Sequence, residues 1–251
     1  MPTPQPLTGH IALVTGASSG IGEGVAEALA AHGATVIAAA RRKDRLTQLV
    51  EKLSAAGGTA IPYELDITDS AAVVQCVGEV VAQYGRIDSV VNAAGIMLSA
   101  RTAEATIADW QRMFDTNILG LMAVSHAVFA VMRKQHKGHI VNISSVSGRL
   151  ANPGSPGYAA TKSAVATFSE SLRKEGAPEN VRVTVIIPGI VKTEIFDHLT
   201  DATTRERFKK MVEAMTPLTP ADVAASVVFA LTQPDHVSIN EIVLRPTEEI
   251  E

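Results

Sequence analysis

The sequence predicts an α/β fold: a doubly wound parallel sheet of seven strands with helices on both faces. Three observations carry that expectation. Apolar strand-like runs alternate with segments of helical period along nearly the whole chain, as a parallel sheet buried on both sides requires. The 251 residues suit one α/β domain, 1–251, long enough to bury a substantial core. Neither an internal repeat, nor a low-complexity stretch, nor a linker divides it.

Strands are expected at 11–15, 35–39, 59–65, 89–92, 139–144, 182–187 and 239–244. The first runs into Thr15-Gly16-Ala17-Ser18-Ser19-Gly20-Ile21-Gly22, which opens a helix with Ile21, Val25 and Leu29 on its apolar face. Glycines there let the backbone turn tightly and approach a pyrophosphate, held by the positive helix end and its unpaired N–H groups. The second strand ends in Ala40-Arg41-Arg42, where an NAD-selecting site would place a carboxylate. Small residues and two guanidiniums suit the 2′-phosphate of NADP(H) instead. Arg41 is the better placed of the two, since Arg42 can equally begin the next helix on a solvated face. In that helix Leu46, Leu49, Val50 and Leu53 share one face, and Gly57-Gly58 closes it.

Asp66, followed by Ile67, ends the third strand, where its carboxylate can accept from an adenine amino group or fill a turn. Asn92-Ala93-Ala94-Gly95 ends the fourth with small residues that allow close approach to the adenosine ribose. The fifth delivers Ser145 to the carboxyl edge of the sheet, where ligands sit in open α/β folds. Tyr158 and Lys162 then stand at i and i+4 on one helical face. An ammonium one turn from a phenol favours phenolate and lowers a pKa that starts near about 10, fitting Tyr158 for acid–base work.

After Pro188-Gly189 the alternation breaks. Residues 190–216 carry Ile195, Phe196, Phe208, Met211 and Met215 among many charges, which predicts a helical lid with an apolar underside. Met97, Val146, Leu150, Gly189 and Ile190 are expected beside it in the substrate pocket, with Arg149 and Asn152 as polar anchors. Thr219-Pro220-Ala221-Asp222 opens a further helix with a capping hydroxyl, a first-turn proline and an acid.

Composition excludes several classes. A net charge of −4 gives no reason to expect nucleic acid or a membrane surface as partner, and no apolar run reaches membrane-spanning length. The single cysteine, Cys76, lies among valines and points to a reducing, cytoplasmic setting. His136 and His139 flank a turn and read as structural, so no metal site is expected.

Taken together, Thr-Gly-x-x-x-Gly-x-Gly at 15–22, Asn92-x-Ala-Gly95, Asn117, Ser145, Tyr158-x-x-x-Lys162 and Pro188-Gly189 through Thr193 resemble the short-chain dehydrogenase/reductase family, from about Gly9 to the C-terminus. The resemblance implies a Rossmann fold, a usual tetramer or at least a dimer, and reduction of a carbonyl compound to an alcohol. It would make Tyr158 the general acid and Ser145 the hydroxyl that orients the substrate oxygen. Lys162 would bind the nicotinamide ribose, and Asn117 would hold a relay water through its backbone and side chain. The backbone at Ile190 and the Thr193 hydroxyl would fix the carboxamide. Ala93 departs from the family's frequent second asparagine. Segments 94–97, 115–122 and 240–247 are similar to a bacterial branch of NADPH-dependent carbonyl reductases that includes clavulanic acid dehydrogenase. An NAD(H)-preferring alcohol dehydrogenase, a silent NADP-binding sensor or scaffold, and a dehydratase or epimerase on the same fold are the alternatives.

Overall fold

The computed structural model describes residues 5–199 and 201–250. Seven strands form one parallel sheet: β1 (Ile11–Thr15), β2 (Thr35–Ala40), β3 (Thr59–Glu64), β4 (Ser89–Asn92), β5 (Gly138–Ile143), β6 (Val181–Pro188) and β7 (Glu241–Leu244), in the order β3-β2-β1-β4-β5-β6-β7. Winding runs outward from β1 to β3, then resumes at β4 on the other side of β1. Chains diverge at that switch, which opens a crevice at the carboxyl ends. The central strands β1, β4 and β5 are buried at every position, as their unbroken apolar runs require. Strand ends differ from expectation by one or two residues; β7, for instance, starts at Glu241.

Alternate strand residues serve opposite faces. Val14, Val36, Val91 and Val141 pack with α1 (Gly20–Ala31), α2 (Lys43–Ala55) and α9 (Pro220–Leu231). Leu13, Ile37, Val90 and Ile140 pack with α3 (Ser70–Tyr84), α5 (Leu121–Gln135) and α7 (Pro156–Gly176). Leu46, Leu49 and Leu53 of α2 are buried as their spacing predicts. Thr219 and Asp222 form a reciprocal capping box at α9.

Asn117 lies in a π-helical turn, Asp115–Gly120, between α4 (Ile107–Phe114) and α5. One expectation changes here. The continuous helical stretch Ile107–Gln135, 29 residues with a hydropathy of 1.4 in its most apolar window, does reach membrane-spanning length. It lies on the sheet, where Val124, Val128 and Met132 pack against Leu13, Val90 and Ile140.

The excursion after β6 leaves through a parallel bridge between Val191 and Leu218, then forms a 3-10 turn, Glu194–His198, and α8 (Ala202–Glu213). Leu199 anchors it, buried with Met97, Leu98, Met113 and Tyr158, while Ile195 and Phe196 pack against that cluster. The side chain of Phe208 lies outside the described residues. A four-residue helix, α6 (Ser147–Leu150), precedes α7.

Candidate active site

A trough follows the carboxyl ends of the strands in two parts that share Ile21, Ala93, Gly95, Thr193 and Ile195. The first part, about 240 Å³, is the glycine-turn half. Gly16 takes φ +69° and its Cα faces the Ala94 backbone so closely that a β-carbon would stand 2.7 Å from it. This fixes the turn against the end of β4. No side chain caps α1 at Ser19, so its first-turn N–H groups face the trough.

Arg42, not Arg41, is drawn onto this turn. Its guanidinium donates to Ser18 Oγ at 3.1 Å, Ser19 Oγ at 2.5 Å and Glu194 Oε2 at 3.0 Å. Arg41 is largely exposed and 3.9 Å from Asp66. Arg41, Arg42, Ala40, Asp66 and Ile67 all line this half. Asp66 Oδ1 accepts from the N–H and hydroxyl of Thr68, so one oxygen is spent on a turn; burial pushes its pKa up, but these bonds outweigh burial and lower it. Asn92 does not reach the trough. Its amide is buried and donates to Ser125 Oγ at 3.1 Å and Asn142 Oδ1 at 2.8 Å, because the strand pleat turns it toward α5.

The second part, about 430 Å³, holds the reactive groups. Ser145 emerges one residue beyond Ser144, whose hydroxyl donates to Lys162 O at 2.8 Å and ties the end of β5 to α7. Ser145 Oγ accepts from Ser147 N at 3.2 Å, and Ser145 and Tyr158 line the same cavity. Lys162 Nζ donates to Ile143 O at 2.9 Å and lies 5.7 Å from the centre of the Tyr158 ring. Burial, rather than the neighbouring charge, governs both groups: it pushes Tyr158 up to about 12, against the opposing influence of the Ser145 hydroxyl, and Lys162 down to about 8. The lowered phenol pKa expected from i, i+4 spacing is therefore not found.

Asn117 Oδ1 accepts from Ile96 N at 2.8 Å, and its Nδ2 donates to Ile96 O at 2.9 Å and Thr161 Oγ1 at 3.2 Å. Its side chain thereby holds the loop after β4 to the helix that carries Tyr158. Thr193 caps the 3-10 turn at 3.4 Å from Ile195 N and packs on Gly20. Met97, Val146, Leu150, Ile195 and Phe196 line this half as predicted, with Met211 and Met215 from the excursion and Pro188, Gly189 and Ile190 from the end of β6. Asn152 lines it too, whereas Arg149 turns outward to an ion pair with Glu241. Sequence reasoning missed Glu194, Glu248 and Glu249, which reach the trough only through the tertiary fold; an acid pair near a chain end carries no local signal.

Sheet and site together are those of an oxidoreductase on the dinucleotide-binding α/β plan. The profile of the short chain dehydrogenase family matches residues 10–204, and the chain belongs to that family. An uncharacterized oxidoreductase of Staphylococcus aureus strain MRSA252 is 39% identical over 96% of this chain and 98% of its own length. The glycine betaine reductase of Emericella nidulans is 40% identical over 99% of this chain, which spans only 20% of that larger protein. Among solved structures, the closed form of a serine dehydrogenase complexed with NADP+ superposes with a TM-score of 0.86 at 36% identity, covering 93% of this chain and 94% of that one.

Proposed function

We propose that this protein is an NADP(H)-dependent oxidoreductase that reversibly reduces a ketone or aldehyde to an alcohol. The convergence of Ser145, Tyr158 and Lys162 carries this reading: all three line an apolar cleft continuous with a glycine turn, with the Lys162 ammonium one helical turn beyond Tyr158. The residues fit a dinucleotide phosphate. The uncapped start of α1 suits the pyrophosphate, and Arg42 beside Ser18 and Ser19 suits a 2′-phosphate. NADP+ in the related serine dehydrogenase supports the same cofactor here. Bound in the trough, the nicotinamide supplies hydride to carbon.

The protein's own groups handle the oxygen. Ser145 Oγ orients the carbonyl oxygen, and Tyr158 protonates it as negative charge develops. A phenol held near 12 keeps its proton at neutral pH, the state a donor needs for reduction. Lys162, still mostly charged at neutrality, is aimed by Ile143 O toward Gly95 and the ribose side of the trough. Asn117 fixes the loop that both halves share, and its backbone and the second lone pair of its Oδ1 are the groups that would hold a relay water. Membership of the short chain dehydrogenase family supports a carbonyl–alcohol pair as substrate and product, with 190–216 as the lid. The buried thiol of Cys76 supports a cytoplasmic location, and the exposed Ile107, Leu119 and Met122 support a homo-oligomer, tetramer or dimer.

Tyr158→Phe should lower turnover of a ketone panel by about 10²–10⁴-fold, followed by NADPH absorbance, while fluorescence titration still shows NADPH bound. Near wild-type turnover in that variant would sink the mechanism.

A further inference from the structure

The C-terminal segment returns to the trough after β7. Gly189 N donates to Leu244 O at 2.8 Å, which brings the chain end alongside the exit of β6. A turn closed by Glu249 N to Pro246 O, 3.0 Å, then points Glu249 back, and its Oε2 accepts from Ile190 N at 3.0 Å. The carboxylate lies against Gly189, where any side chain would collide with it. Glu248 Oε2 holds the segment from the other side, accepting from Thr216 N at 2.6 Å. Glu248, Glu249 and Ile250 are thus part of the wall that includes Ser145 and Tyr158.

The Ile190 N–H is the donor that the family pattern gives to the carboxamide of the cofactor. One N–H serves one acceptor well, and a carboxylate accepts more strongly than an amide oxygen. We propose that Glu249 competes with the nicotinamide end of NADP(H) for Ile190 N–H, so that this residue sets how tightly that end, and not the nucleotide end, is held. The proposal rests on the NADP(H) reading above.

The test is isothermal titration of the full chain with NADP+ and with 2′-phospho-ADP-ribose, which lacks the nicotinamide. Glu249→Ala should tighten NADP+ by about tenfold and leave 2′-phospho-ADP-ribose unchanged. Glu248→Ala removes the same charge from the neighbouring position and should produce no such split. Amide exchange at Ile190, measured without nucleotide, should quicken in Glu249→Ala and not in Glu248→Ala; this readout does not depend on any cofactor. Equal tightening of both nucleotides would reduce the effect to long-range charge and overturn the proposal, as would unchanged NADP+ affinity. Failure of the wild-type chain to bind NADP+ would instead overturn the cofactor reading, and this proposal with it.

Discussion

Arg42 shows what one residue's surroundings decide. Of the two adjacent arginines after the second strand the string favours Arg41, yet the choice between them depends on where the chain turns into α2. There Arg42 takes the N-cap position, and its guanidinium folds back over Ser18 and Ser19 while Arg41 points to solvent. Glu194 already neutralises Arg42 from across the trough, a partner 152 residues away. A phosphate would gain the same fork of donors. Arg42→Ala should therefore cut the NADPH-over-NADH preference in kcat/KM by about 10-fold or more, and Arg41→Ala by much less. The reverse ranking in steady-state kinetics would return the role to Arg41. The glycine turn, Ser145, Tyr158 and Lys162 were legible because each depends on spacing within one strand–turn or one helix. Tyr158's high pKa was not, because burial is set by Met97, Leu98, Met113 and Leu199, none adjacent to it in sequence.

At the scale of elements, periodicity found the strands and the helices around them, and the capping box of α9 was readable from four letters. The π turn at Asp115–Gly120 was not readable, since inserting one residue into a helical run leaves its composition unchanged. It bears Asn117 at its centre, buried, with its amide satisfying both backbone groups of Ile96 and the hydroxyl of Thr161 on α7. One side chain therefore joins the loop after β4, the π turn and the helix that carries Tyr158. Asn117→Ala would leave the Ile96 N–H and C=O without those bonds, a loss of about 2 kcal/mol in urea unfolding. Turnover should fall as well, because Gly95 lines both halves of the trough. A variant as stable as wild type would show that the loop is held by other contacts.

For the molecule as a whole, the parallel sheet separates two chemistries to its two ends. The alternation of apolar runs predicted a sheet with a reactive carboxyl edge; it did not predict the titratable amino edge, which assembles from strands far apart in sequence. There His139, near the start of the strand that ends by Ser144 and Ser145, is 2% exposed. Thr184 Oγ1 donates to Ile239 O and so accepts from His139 Nε2 at 2.7 Å. Nδ1 has no hydrogen-bond partner among the described residues, and a proton there would bury a charge. Burial first, then Arg182 and His10, push His139 down to about 3. His10, bonded to Ser89 Oγ at 2.9 Å, is lowered as well, by burial against the opposing pull of Asp88, with Arg86, Lys137 and Arg182 adding to the burial effect. A folded pKa below the unfolded value of 6.5 means that the unfolded chain binds the extra proton between those two limits. Stability is then fully present above about pH 6.5 and is lost as pH falls toward 3, His139 alone accounting for about 2 kcal/mol by pH 5. Urea unfolding at stepped pH should show this slope, and His139→Gln, whose amide can still donate to Thr184, should flatten it; an unaltered slope in the variant would refute the assignment. Tyr158 holds its proton throughout this range, with a pKa near 12, so acid inactivation should track unfolding and recover on neutralisation, not follow a titration of the phenol.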